Sequence, residues 1–344
     1  MTTQADADIA ATAPTRGKGG RGRGPWATAL RRLRRSPSAV ASTAVLLTVA
    51  VLCALAPVYA DFTGTDPFRS NLSGKIEIAG EQVAVMQPST TGLGLGVTPI
   101  GPTWNPAAYL LGADNQGRDV AARLLYGGRN SLVISAAATL ICLVLAGIIG
   151  IVAGFSGGAV DMVLSRILDV LWAFPVYLLA ISLSIVLLNS SIALGPITIT
   201  AGSLLLPIGI IGVIYVPYVA RPIRSKVLAL RRSEFVLASV GLGLPTHRIL
   251  LRDILPNVMP TLIVFVPILL ALSIVTESAL SFLSIGVQPP DASWGTIIQD
   301  GQTLLYSRPM VALAPGIAIV ITVLALNVLG DNVRDALDPR FKIR

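Results

Sequence analysis

Five long stretches of this chain carry no charged residue, and they constrain its fold more than any other feature. They run over residues 36–60, 130–160, 170–220, 254–276 and 309–330. A helix needs about 20 apolar residues to cross a hydrocarbon core roughly 30 Å thick. Inside a bilayer every backbone amide must find its partner within the protein, which a helix achieves on its own. Around these stretches six spans are expected, near 38–60, 131–155, 162–188, 200–221, 257–280 and 310–331, the third starting before Asp169, near a membrane face. The third and fourth share one run, divided at Asn189-Ser190-Ser191 and Gly195-Pro196. Only 13% of residues are charged, against about a quarter in a soluble domain. The sequence therefore predicts an all-α polytopic membrane protein, and excludes an ordinary soluble enzyme or a disordered chain. Arg31, Arg32, Arg34 and Arg35 before an apolar run ending Val58-Tyr59-Ala60 also fit a cleaved signal peptide. The length of that run and the five spans after it favour an uncleaved first helix.

Six spans put both termini on one face. With the termini inside, 20 basic and 9 acidic residues fall on the inner side, and 6 basic and 9 acidic on the outer. The formal charge of +8 thus divides into +11 inside and −3 outside. Short loops rich in Lys and Arg stay cytoplasmic, so the termini are expected in the cytoplasm.

The counts exclude several chemistries. The two cysteines, Cys53 and Cys142, lie in apolar runs and suit neither a disulfide framework nor a thiolate metal site. His247 is the only histidine, too few for a histidine metal cluster or a Ser-His-Asp triad. None of Lys18, Lys75, Lys226 and Lys342 precedes Ser or Thr, so the phosphate-binding P-loop is absent. Any ATP this protein needs is bound elsewhere, and no metal or cofactor is expected on the chain.

Residues 1–37 read as a basic, disordered cytoplasmic tail drawn to anionic membrane lipid rather than to nucleic acid. Residues 61–129 form a large outer loop. There Ile76, Ile78, Val83 and Val85 alternate around Ala79-Gly80, the pattern of a β-hairpin. Thr91-Gly92-Leu93-Gly94-Leu95-Gly96 is a turn. Asp119, with Arg118 and Arg123, is placed to cap and orient a helix before the second span.

The inner loop 221–256 carries the clearest functional signal. Two short helices are expected, joined by Gly241-Leu242-Gly243-Leu244-Pro245 and capped by Ser233 and Thr246. Ile249, Leu250, Leu251 and Ile254 give the second an apolar face, rimmed by His247, Arg248 and Arg252. Ala238 and Ser239 are small enough for another surface to approach the backbone. Such a helix fits a partner's groove or lies on lipid.

This loop resembles the EAA motif of binding-protein-dependent ABC importer permeases. The motif's two small residues, its glycine four positions on and its closing Leu-Pro correspond to Ala238, Ser239, Gly243, Leu255 and Pro256. Leu237 stands at the motif's acidic position, with Glu234 three residues earlier. Three further segments resemble the C-type subunit of the oligopeptide/dipeptide permeases: Leu111-Gly112-Ala113-Asp114-Asn115-Gln116-Gly117-Arg118-Asp119-Val120, the run from Glu277 through Pro290 with Ser293-Trp294-Gly295, and Asn327-Val328-Leu329-Gly330-Asp331 with Arg334 through Arg340. The resemblance covers residues 26–344, with 70–105 as an insertion.

The resemblance implies a permease core over 130–344 and a multi-pass protein of a prokaryotic inner membrane. It implies a homologous second permease subunit, two cytosolic ATPases that bind ATP and Mg2+, and an extracytoplasmic solute-binding protein. ATPase coupling is then expected at Glu234, Ala238, Ser239, Gly243, Arg248, Ile249, Leu250, Arg252, Leu255 and Pro256. Glu277, Trp172 and Tyr215 are candidates for a pathway or gate. Glu277 is costly in hydrocarbon and must face protein, water or the interface. Arg166 and Asp169, three apart, are expected to pair. Pro175, Pro207, Pro217 and Pro267 should bend their helices. The alternatives are a secondary transporter or channel that needs no ATP, disfavoured by scarce intramembrane charge, and a membrane anchor or receptor that transports nothing.

Overall fold

The computed structural model describes residues 25–78, 80–89, 96–188, 192–194, 197–199 and 203–337. Most of the expected tail, the turn around Thr91-Gly92, the breaks at 189–191 and 195–196, and Asp338-Pro339-Arg340 lie outside the described residues.

The first described element corrects the tail. Helix α1 (Pro25–Arg35) occupies its last part and lies against the final helix of the chain, with Ala29 buried. Pro25 at its first position costs no hydrogen bond there. Helix α2 (Pro37–Ala54) begins after Ser36, whose hydroxyl accepts the Ala39 N–H at 3.4 Å. Leu55 interrupts it, and α3 (Ala56–Thr63) completes the first apolar segment.

The outer segment holds the expected hairpin, β1 (Lys75–Ile78) with β2 (Glu81–Ala84), with Ile76 opposite Val83. A second pair was not foreseen: β3 (Met86–Pro88) with β4 (Val97–Pro99). Between them Val85 is buried in a small core with Ile100, Tyr109 and Ala113. Gly117 closes this unit: its φ is +72°, and a Cβ there would lie 2.3 Å from the Asn71 carbonyl oxygen.

Helix α4 (Val120–Ser156) runs 37 residues, starting well before the predicted span. At 1.5 Å per residue it is roughly 55 Å long, so its first turns project beyond a hydrocarbon core. Helices α5 (Gly158–Ala173) and α6 (Val176–Leu188) divide the third expected span, meeting at 91°. Pro175 follows Phe174, which is held extended (φ −90°, ψ 138°) as a residue before proline must be. A short hairpin, β5 (Ile192–Leu194) with β6 (Ile197–Ile199), follows. Helices α7 (Leu205–Ile214) and α8 (Val216–Arg231) bend by 41° at Tyr215, just before Pro217. Then come α9 (Glu234–Gly241), α10 (Thr246–Ile249), a π-helical turn over Leu250–Ile254, and α11 (Leu255–Phe282). Last are α12 (Trp294–Gly301) and α13 (Met310–Leu337).

Among the described residues, four helical segments are long and apolar enough to cross a membrane unbroken: α2, α4, the continuous run Thr246–Phe282, and α13. The bent pairs α5–α6 and α7–α8 bring the number to as many as six. Among the described residues the fold is thus mostly helical, with three two-stranded antiparallel pairs.

Helix α4 is the centre, packed by α8, α7 and α11. Its contact with α8 is set by two glycines four apart. A Cβ on Gly150 would sit 2.8 Å from the Ala220 carbonyl oxygen, and one on Gly154 2.8 Å from that of Arg224. Small residues at this spacing let helix backbones approach closely in lipid.

Candidate functional site

The loop after α8 is built as a short helix held at both ends. Ser233 occupies the cap position of α9, but its hydroxyl bonds back to the Leu230 carbonyl and makes no side-chain cap bond to α9. Val236 is buried and anchors the helix to the core. The other apolar residues face outward: Phe235, Leu237, Val240 and Leu242 are 45%, 56%, 54% and 80% exposed. Gly243 ends the helix at φ +71°. Its N–H donates to the Val240 carbonyl at 2.9 Å, and the Leu244 N–H to that of Ser239 at 3.2 Å. This pair is a Schellman motif, which needs a left-handed residue where glycine sits. The Ser239 hydroxyl donates to Asp253 Oδ2 at 2.9 Å, pinning α9 to the π turn.

The second expected helix is corrected here. Pro245, not Thr246, stands at the cap position, and the helix does not stop at Ile254. It continues through the π turn into α11. Ile249 and Ile254 are buried in the main core, so the apolar face assigned to them is internal. Leu250 and Leu255 are half-buried, whereas Glu234, Ala238, Arg248, Arg252 and Pro256 are exposed. The outward apolar surface belongs instead to α9, with Leu242 and Leu251. The partner residue missed in the sequence is Asp253.

Glu277 is fully buried at the far end of α11. Ser131 donates to Oε2 at 2.8 Å and Ser281 to Oε1 at 2.7 Å. Each of those hydroxyls in turn accepts a backbone N–H, from Trp294 at 3.1 Å and Val287 at 3.0 Å respectively. The carboxyl therefore joins α4, α11, α12 and the loop between α11 and α12. The next residue inward, Thr276, bonds the Tyr215 hydroxyl at 2.7 Å, at the α7–α8 bend. Trp172 lies apart from this pair: its ring stacks on Tyr218, and the Arg221 guanidinium sits 5.2 Å from its centroid. Arg221 also donates to Asp169 at 2.9 Å, a shorter contact than the expected Arg166–Asp169 pair at 3.6 Å.

Where α4 begins, Asp119 accepts the Ala121 and Ala122 N–H groups as the expected cap. Burial pushes its carboxyl above the ordinary aspartate range, against the pull of these backbone donors and that of Tyr109. Beside it, Arg118 and Arg123 are both buried and both reach Asp300 Oδ2 at 2.9 Å. Arg118 also holds Asp114 at 2.7 Å. Arg118 and Arg123 thus fasten α4 to α12 rather than only capping α4.

Residues 146–343 match the family model for the binding-protein-dependent transport system inner membrane component. Residues 24–73 match the N-terminal TM domain of oligopeptide transport permease C. The chain belongs to the binding-protein-dependent transport permease family. Its relatives include the dipeptide transport system permease protein DppC of Alkalihalophilus pseudofirmus, 31% identical over 92% of this chain and 91% of that one. The oligopeptide transport system permease protein OppC of Haemophilus influenzae is 30% identical over 93% and 90%. The glutathione transport system permease protein GsiD of Pectobacterium atrosepticum is 35% identical over 69% and 74%. The MetNI methionine ABC transporter in an inward-facing conformation shares the fold, with a TM-score of 0.50 at 18% identity, over 62% of this chain and 96% of that one. The membrane-spanning helices therefore belong to an inner-membrane permease component.

Proposed function

We propose that this permease is one of two homologous membrane subunits of an ATP-driven importer of peptides or similar small solutes. It sits in the inner membrane of a prokaryote with both termini cytoplasmic, and each bent helix pair counts as one of six crossings. Two cytosolic ATPase subunits bind ATP and Mg2+ and hydrolyse the nucleotide, and an extracytoplasmic binding protein delivers the solute. This chain makes and breaks no bonds.

The observation that carries this reading is the exposed apolar surface of α9, a helix of only 8 residues anchored to the core by Val236. Three large apolar side chains exposed on so short a helix, with Leu242 beside them at its end, call for a partner groove to take them. Closure of the ATPases pushes on α9. The Ser239–Asp253 bond and the Schellman turn pass the push to α11, which is continuous from Thr246 to Phe282. Its other end carries Thr276 and Glu277, so the displacement reaches the Tyr215 bend and the outer loop together. The helices rock, and the cavity opens outward. The second permease subunit covers the lipid-level apolar stripe Leu140, Val144 and Ile148 on α4, which is exposed on this chain alone.

Gly243→Pro tests the turn, because proline cannot reach φ +71° and has no N–H for Val240. Charge reversal at Arg248 together with Arg252 tests the rim. Either change abolishes transport while the protein is still expressed. Normal substrate-stimulated ATPase activity in such a mutant complex would overturn the assignment.

A further inference from the structure

At the opposite end of the molecule from α9 lies a cavity of about 780 Å3, bounded by the start of α4, the loop after α11, and α12. Its volume falls within the range of roughly 300–1,000 Å3 typical of ligand pockets. The lining is unusual in one respect. Of the seven glutamines in the chain, Gln116, Gln288, Gln299 and Gln302 border this one space, and Asn115 joins them. A carboxamide offers donors and an acceptor side by side, the same pair a peptide group presents.

The charges narrow the choice. Arg118 and Arg123 line the cavity, but their guanidiniums are held by Asp114 and Asp300 at 2.7–3.3 Å. Two buried cations facing two carboxylates leave nothing for an anionic ligand. Asp291, half-buried in the wall, has no ion-pair partner among the described residues; the lining's two arginines and two aspartates balance, and Asp114 behind them makes the whole cluster net negative. Asp300 gives Oδ2 to both arginines, and among the described residues nothing donates to its Oδ1.

We propose that this cavity binds an extended polypeptide main chain through its side-chain amides, with a cationic group of that polypeptide beside Asp291. The segment is either a free peptide or a stretch of the solute-binding protein; both present the same chemistry. The inference rests on the proposed function for the cavity's outward position and for the existence of the binding protein.

The test uses the complete importer in lipid nanodiscs, with p-benzoylphenylalanine in place of Thr303, an exposed residue of the lining. The probes are a labelled tetra-alanine with a free amino terminus, its N-acetylated form, and the cognate binding protein. Irradiation is expected to capture the peptide or the binding protein at this position. Capture of peptide without the binding protein assigns a free ligand, and capture of the binding protein alone assigns its segment. For a free peptide, Asp291→Asn lowers capture of the free-amine form about fivefold, as for a partly exposed charge pair, and leaves the acetylated form unchanged. The Gln299→Ala, Gln302→Ala double variant lowers capture of every probe taken by the parent complex. Should that variant lose its partner subunits on purification, Gln288→Ala replaces it. No capture, or capture indifferent to the glutamine changes, overturns the proposal. Substrate-stimulated ATPase activity is read in the same nanodiscs. Normal activity without capture sinks the cavity alone, whereas Ser284→Cys labelling only from the cytoplasmic side contradicts the orientation instead.

Discussion

Glu277 shows what a single side chain does here. A carboxyl with no cationic partner among the described residues, fully buried, would be expensive in hydrocarbon. It persists because two serine hydroxyls donate to it while accepting backbone N–H groups of the outer loop and α12. Glu277→Ala strands two buried hydroxyls and opens a cavity, so we expect a loss of about 2–4 kcal/mol. Glu277→Gln keeps one carbonyl acceptor and should lose less. Thermal unfolding in detergent checks this, and equal melting temperatures for parent, Gln and Ala proteins would contradict it. The sequence could show that Glu277 needed protein around it, and Ser281 one helical turn on was visible. Ser131 was not, because it lies 146 residues away and only the packing of α4 on α11 brings it there. Local signals were read correctly where the partner was local, as with Asp119 and the amides of α4. Where the partner was remote they failed, as with Ser239 and Asp253.

The packing of helices decides the elements. The α4–α8 contact depends on the absence of a Cβ at Gly150 and Gly154. Leucine at either position forces the two backbones apart, and overpacking of this kind costs about 1–3 kcal/mol or more. Gly150→Leu should therefore cut the yield of assembled complex sharply, while Gly209→Ala on α7, with open space around its missing Cβ, should not. Size-exclusion profiles of the solubilised complex check the pair, and identical profiles would contradict the packing account. The Gly-x-x-x-Gly spacing at 150–154 was a readable signal for this contact. The 91° angle between α5 and α6 was not: Pro175 marks a break, but its angle is set by what α5 and α6 each pack against. The amphipathic pattern of the second loop helix predicts an apolar face turned toward a partner's groove or toward lipid. Amphipathicity alone cannot say which surface covers the face, and the chain's own core covers Ile249 and Ile254.

At the scale of the molecule, the charge-free stretches are the most legible feature: their described residues lie largely in long helices or bent pairs, apart from the β5–β6 pair within 170–220. Their termini shifted, because helices continue past the bilayer wherever capping and packing allow: α4 gained its outer turns from the Asp119 cap, and α11 its inner ones through the π turn. The outer segment was legible only as one hairpin, because its core of Val85, Ile100, Tyr109 and Ala113 is assembled from short, scattered pieces. The basic side and the acidic side lie at opposite ends of the helices in the proposed orientation, with α9 at one end and the glutamine-lined cavity at the other. That arrangement describes a conduit driven from one face and loaded from the other. Uptake of labelled peptide into proteoliposomes bearing the complete complex, with ATP enclosed and the binding protein outside, tests this most directly. The account predicts uptake only when both ATP and the binding protein are present; uptake that persists without ATP would contradict it.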